Sequence, residues 1–246
     1  MSEPSEEPGV GAHADVESQW GLKLISWALL IALSSVILSA VVAVILRGVV
    51  SRDPALFAYF FALTLPASAL LATTAIVFLI GFSAIYRHRG EAGAVRARTL
   101  RKSLVLLVAT VVATLSLLSV RFFWPFLLPP FGGFPGLLKV QALLSVVFSG
   151  ADIIVSLLLA LLLYYTVVSF LPAGLLSRLN LAVILLVLGA IVTFGFTAAS
   201  VWTSQSLLEF DDYFIALTAL AAVLFWTVYR ASARSLGRPS SGPSKT

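Results

Sequence analysis

Long uncharged stretches separated by short polar ones are the dominant pattern of the chain. The first stretch covers residues 24–46, between Lys23 and Arg47. A transmembrane helix needs about 20 consecutive apolar residues, so this stretch predicts a membrane span. Five further spans are predicted in the same way, over residues 58–86, 103–120, 152–171, 181–204 and 213–229. The predicted fold class is therefore all-α, a polytopic bundle of six transmembrane helices.

An additional helix is predicted before the fourth span. Residues 137–148 are mostly apolar, but their helix would extend only about 18 Å, too short to cross a bilayer. The polar residues Lys139, Gln141 and Ser145 fall within one arc of a helical wheel. Gly150 is expected to end this helix. We therefore predict an interfacial or re-entrant helix here.

The two ends of the chain differ from the spans in composition. Residues 1–19 contain five acidic residues and neither Lys nor Arg, and residues 231–246 are rich in Ser, Pro and Gly. Such segments cannot bury enough apolar area to become ordered. We predict a disordered acidic cytoplasmic tail over residues 1–19, one six-span domain over residues 20–230, and a disordered basic cytoplasmic tail over residues 231–246.

Composition supports a membrane location, and the distribution of charge predicts an orientation. The chain is 60% hydrophobic and carries a net charge of +5. The cations lie at span ends, which favours the membrane surface over nucleic acid as their partner. Twelve of the 16 Lys and Arg residues fall on the side of the bilayer that holds both termini. We therefore expect both termini in the cytoplasm and the protein in the plasma membrane of a prokaryote.

The segment from Arg87 to Lys102 carries half of the cations on that side. Its cations are candidates for contact with anionic lipid headgroups; they are Arg87, Arg89, Arg96, Arg98, Arg101 and Lys102. The alternative is that these residues only set the topology.

Asp152 is the one acidic residue that could lie within a predicted span. With Ser149 it has the spacing of a helix cap at the start of the fourth span. Alternatively, a span that began earlier would place this carboxylate near mid-membrane, where ionisable groups are usually functional. Both interpretations remain open at this point.

Few side chains in the spans could perform chemistry. The chain has no Cys, and its two histidines, His13 and His88, lie outside the predicted spans. We therefore expect no enzymatic activity, no metal and no cofactor. The preferred hypothesis is a structural or accessory subunit of a membrane complex, with membrane-protein partners or as a homo-oligomer. The alternative is a small-solute or ion transporter or channel.

The orientation can be tested by cysteine labelling, because the chain has no native Cys. We expect that a Cys introduced by Ala92→Cys reacts with a membrane-impermeant maleimide only after the cells are opened. Labelling from outside intact cells would show that the orientation is reversed.

Overall fold

A computed structural model describes residues 10–50, 59–89, 93–127, 135–172, 174–203 and 211–237. These residues form six α-helices and no strand. In chain order the helices are α1 (Val10–Val50), α2 (Tyr59–Arg87), α3 (Ala94–Leu127), α4 (Pro135–Val167), α5 (Leu176–Thr203) and α6 (Asp211–Leu236). All six are long and apolar enough to cross a membrane. The prediction of an all-α, six-span protein is confirmed.

Several helices extend beyond the predicted spans. Helix α1 begins at Val10 and α6 ends at Leu236, outside the boundaries predicted at residues 20 and 230. Helix α3 begins at Ala94, so most of the basic segment is helical. Burial of Ser18 shows that the early turns of α1 pack against the rest of the protein. The remaining parts of both predicted tails, residues 1–9 and 238–246, lie outside the described residues.

The helix break predicted at Gly150 is wrong. Helix α4 continues through this residue without interruption, so residues 137–148 are the first part of α4 and not a separate helix. One glycine inside a helix costs only about 1 kcal/mol. A Cβ placed on Gly150 would lie 3.5 Å from the ring of Phe194 on α5, so the backbone here packs closely against its neighbour. Such packing favours a continuous helix.

The helices alternate in direction and lie side by side. We use the term basic end for the end of the bundle where α1, α3 and α5 begin and where α2, α4 and α6 finish. Neighbouring helices follow the order α2, α1, α6, α5, α4, α3. Consecutive helices in the chain are therefore neighbours except for α2 and α3, which are at opposite ends of the row, and α6 packs against α1 as well as α5.

The hydrophobic core of the described residues is concentrated at the basic end. Every member of the core cluster lies in the half of its helix that is nearer this end. The cluster consists of Leu22, Ile25, Leu29, Ile85, Leu100, Leu163, Val167, Phe170, Leu179, Ala182, Phe225, Val228, Tyr229 and Ala233. All six helices contribute. The core therefore includes side chains from α2 and α3, the two ends of the row, as well as from the four helices between them.

A hydrogen bond from Tyr229 connects two helices that are not adjacent in the row. The fully buried Tyr229 side chain of α6 donates its hydroxyl hydrogen to the carbonyl oxygen of Leu163 on α4, at 2.7 Å. Helix α5 lies between them as a neighbour of both. A bond past α5 requires the three helices to form a compact group at this level.

Helices α1 and α2 make their closest approach through two glycines. A Cβ added to Gly21 would lie 2.6 Å from the carbonyl oxygen of Gly81, and one added to Gly81 would lie 2.8 Å from that of Gly21. Real Cβ atoms do not come so near to backbone oxygens. Small residues at such crossings increase van der Waals contact between helix backbones, the main source of helix association in lipid.

We expect Gly21→Ala to lower stability by about 1–3 kcal/mol, because the added methyl group forces the two backbones apart. The matched control is Gly195→Ala on α5, where the new Cβ would have no atom within 4 Å. There the better helix propensity of Ala should leave stability unchanged or raise it by up to about 1 kcal/mol. Thermal unfolding in mild detergent measures both; equal shifts would contradict the close contact.

Candidate functional site

Asp152 lies in the interior of α4. The helix begins 17 residues earlier, at Pro135, so the helix-cap interpretation of Asp152 is wrong. The local spacing of Ser149 and Asp152 resembles a cap, but the backbone amides here are already bonded within the helix. The bond from Tyr229 places Leu163 level with the end of the uncharged run of α6, so Asp152, 11 residues or about 16 Å farther along α4, lies near the middle of a bilayer about 30 Å thick.

Asp152 belongs to a polar stripe on α4. At 100° per residue, Ser145, Ser149, Asp152 and Ser156 fall within an arc of about 60°. Asp152 is half-buried, as are Ser149 and Ser156. Polar groups on one side of a transmembrane helix normally face other protein groups or a water-filled space. Helix α5 is one neighbour of this part of α4, since Phe194 lies against Gly150.

Helix α5 presents hydroxyl groups to the α4 stripe. The Ser149 hydroxyl donates to the Thr197 hydroxyl oxygen at 3.2 Å. Thr197 in turn donates to the carbonyl oxygen of Thr193, and Thr193 donates to that of Gly189. The Thr197 hydroxyl therefore links α4 at Ser149 to the backbone of α5, and the Thr193 hydroxyl bonds in the same way to the backbone one turn earlier. We call the α4 stripe together with Gly189, Thr193 and Thr197 the polar seam.

The chemistry of the polar seam is that of oxygen ligands. Hydroxyl and carboxylate oxygens can exchange hydrogen bonds with water, carry a proton or contact a hard cation. Among the described residues, no group of three or more His, Cys, Asp and Glu side chains could hold a metal ion. A weakly held, hydrated ion or a proton is the species that these side chains suit.

Within the basic segment, Arg96 makes specific interactions with other helices. Its guanidinium lies 3.3 Å from the carboxylate of Asp15 on α1. It also lies 4.7 Å from the ring centre of Phe170, in the 3₁₀ turn that follows α4. A cation in the first turn of a helix opposes the helix dipole, and the Asp15 carboxylate offsets that effect. Arg96 therefore connects α3 to α1 and to the end of α4.

The other five cations of the segment do not converge on one site. Arg89 lies 4.0 Å from the ring centre of Tyr86, and the Lys102 ammonium lies 5.4 Å from that of Tyr165. Arg87, Arg98 and Arg101 are exposed. A surface that attracts anionic headgroups without a defined pocket fits this arrangement, and specific lipid binding by the segment stays a prediction.

Sequence reasoning singled out Ser145 and Ser149 but did not combine them with Ser156 into one face around Asp152. The spacing of Ser145, Ser149 and Ser156 with Asp152 is visible in the sequence and marks one face of a helix. The pairing of Ser149 with Thr197 is not visible there, because it depends on how α4 and α5 are aligned against each other.

The chain matches no family model, no curated protein and no solved structure.

Proposed function

We propose that this multi-pass membrane protein is a non-enzymatic accessory subunit that associates with the helices of another membrane protein. The observation that supports this most directly is an exposed pair of small residues on α5. Gly195 and Ala199 are both exposed, and a Cβ on Gly195 would have no atom within 4 Å.

The outward face of α5 explains why this pair is informative. Between the start of α5 and Gly195, the same face carries large exposed side chains that lipid chains cover without cost, those of Leu181, Ile184, Leu188 and Ile191. Gly195 and Ala199, four residues apart, instead leave a shallow depression that permits close approach of another helix backbone. If lipid were the only neighbour of this face, large apolar side chains at positions 195 and 199 would suit it as well or better.

The arrangement of the row is consistent with association. Helices α2 and α3 at its ends each have one main neighbour among the described helices. Among the six candidate spans of the described residues, that of α3 has the smallest share buried within the protein. A subunit that completes its helix packing with another protein would have this pattern.

Purification in mild detergent from the native membrane tests the accessory role. We expect a stoichiometric membrane-protein partner to co-purify with the parent chain. Gly195→Leu should lose that partner without a lower melting temperature, because Gly195 is exposed and a Cβ there would meet open space. Ile191→Leu, one turn away on the same exposed face, is the control and should retain the partner. Purification of the parent without a partner, or retention by Gly195→Leu, would contradict the proposal.

A transporter or channel is the second candidate, and the polar seam is the observation that favours it. An acidic residue in the interior of an apolar helix, in line with hydroxyl groups on two helices, is the kind of arrangement that lines proton or ion pathways. A single carboxylate and a few hydroxyls are less than most coupled transporters use. We therefore rank this function second.

Asp152→Asn distinguishes the two candidates. The accessory role predicts no proton or Na⁺ flux above that of empty liposomes, for the parent and for Asp152→Asn alike. Ser34→Ala serves as a control, because the Ser34 hydroxyl bonds to its own helix at Leu30 and is exposed. If the parent shows pH-dependent flux that Asp152→Asn abolishes at unchanged melting temperature, and Ser34→Ala does not, the transporter role is correct.

A further inference from the structure

Two grooves at the basic end share the same cationic side chains of α6. The smaller groove, of about 240 Å³, lies between α1 and α6 and is lined by Lys23, Trp27, Trp226, Arg230 and Arg234 among others. The larger, of about 530 Å³, lies along α6 beside Pro172, and Trp226, Arg230 and Arg234 line it as well. Arg230 and Arg234 thus separate two adjoining depressions.

Helical spacing explains how these side chains meet. Trp226, Arg230 and Arg234 are four residues apart and lie on one face of α6. Lys23 and Trp27 have the same spacing on α1, the helix that packs against α6. The Arg230 guanidinium lies 5.1 Å from the ring centre of Trp226, which limits its freedom and directs it along the groove.

The grooves carry a concentrated positive charge. Lys23, Arg230 and Arg234 are all exposed, and no acidic residue lines either groove. The described acidic residues of α1 lie elsewhere, since Asp15 pairs with Arg96 and Glu17 lies about 120° around the helix from Lys23. The three cations therefore favour an external anion over an internal partner.

The depth of the grooves points to a lipid. Lys23 directly precedes the uncharged run of α1 at residues 24–46, and Arg230 directly follows that of α6 at residues 213–229. Charged groups at the ends of such runs lie at the level of lipid headgroups. Trp27 has 61% of its surface exposed and stands one turn deeper than Lys23, where an indole ring contacts the glycerol region and the first methylene groups.

We propose that the paired grooves bind the phosphate headgroup of an anionic phospholipid. The guanidinium groups of Arg230 and Arg234 donate hydrogen bonds to the phosphate oxygens, for which their planar geometry is suited. The Lys23 ammonium adds charge from the opposite wall. Trp27 and Trp226 cover the apolar part of the same molecule. This site is separate from the basic segment on α3 and does not depend on the accessory role.

Lipid retention by the full chain tests the site. The protein is placed in nanodiscs of phosphatidylcholine with a small fraction of phosphatidylglycerol, and bound lipids are counted by native mass spectrometry after extraction. We expect one phosphatidylglycerol to stay bound to the parent and the double variant Arg230→Gln/Arg234→Gln to weaken this binding by about tenfold or more, as the loss of charged hydrogen bonds implies.

The matched control compares Arg230→Gln alone with Arg178→Gln, which removes the same single charge from an exposed position near the start of α5, at the same end of the bundle and outside the basic segment. We expect Arg178→Gln to weaken retention by less than about threefold, the size of a surface electrostatic effect. Equal losses in the two single variants would show that only net charge matters and would overturn the site.

Two further measurements distinguish lipid binding in the grooves from protein instability and from binding of a soluble anion. If the arginine variant is unstable, the exposed Lys23→Gln is compared with the exposed Arg178→Gln; only the first should clearly weaken retention, and equal effects would contradict the site. Inorganic phosphate should not displace the lipid at millimolar concentration. Displacement by free phosphate would show that the grooves select a soluble anion and that the lipid assignment is wrong.

Discussion

Close packing of the six helices at the basic end is the constraint on which the rest of the structure depends. In lipid the hydrophobic effect does not draw helices together, since the acyl chains are as apolar as the side chains. Association must come from van der Waals contact and hydrogen bonds. Here the contact of Gly21 with Gly81 and the bond from Tyr229 to Leu163 supply these interactions at the same end of the bundle.

Among the described side chains, the core cluster lies nearer the basic end than Asp152 and Gly195 do, so the two candidate functions use parts of α4 and α5 outside that cluster. The polar seam around Asp152 lies outside the core cluster, and the bond from Ser149 to Thr197 joins α4 and α5 there. The exposed Gly195 is on the same part of α5. A partner helix against this face could alter how α5 packs on α4, so an accessory role and a responsive seam are physically compatible.

The number and order of the spans could be predicted from the sequence, because hydrocarbon demands long apolar helices whatever the tertiary structure is. The ends of the helices could not. Ala94 begins α3 nine residues before the uncharged run, since charged residues can continue a helix into water without cost to its backbone bonds.

The cap interpretation of Asp152 fails for a related reason. Capping residues are recognisable only relative to a helix start, and the start of α4 lies at Pro135. The grooves around Arg230 required the pairing of α1 with α6, which no local pattern encodes.

The connection between α2 and α3 has a geometrical consequence. Six helices in a flat row, with axes about 8–10 Å apart, would separate the first from the last by about 40–50 Å. Yet Arg87 and Ala94, the facing ends of these outermost helices, are seven residues apart in the chain, which can bridge at most about 25 Å. The row must therefore bend into a horseshoe at the basic end. A short segment of chain joins α2 to α3 at this end. The two helices can therefore move apart only toward the opposite end of the bundle.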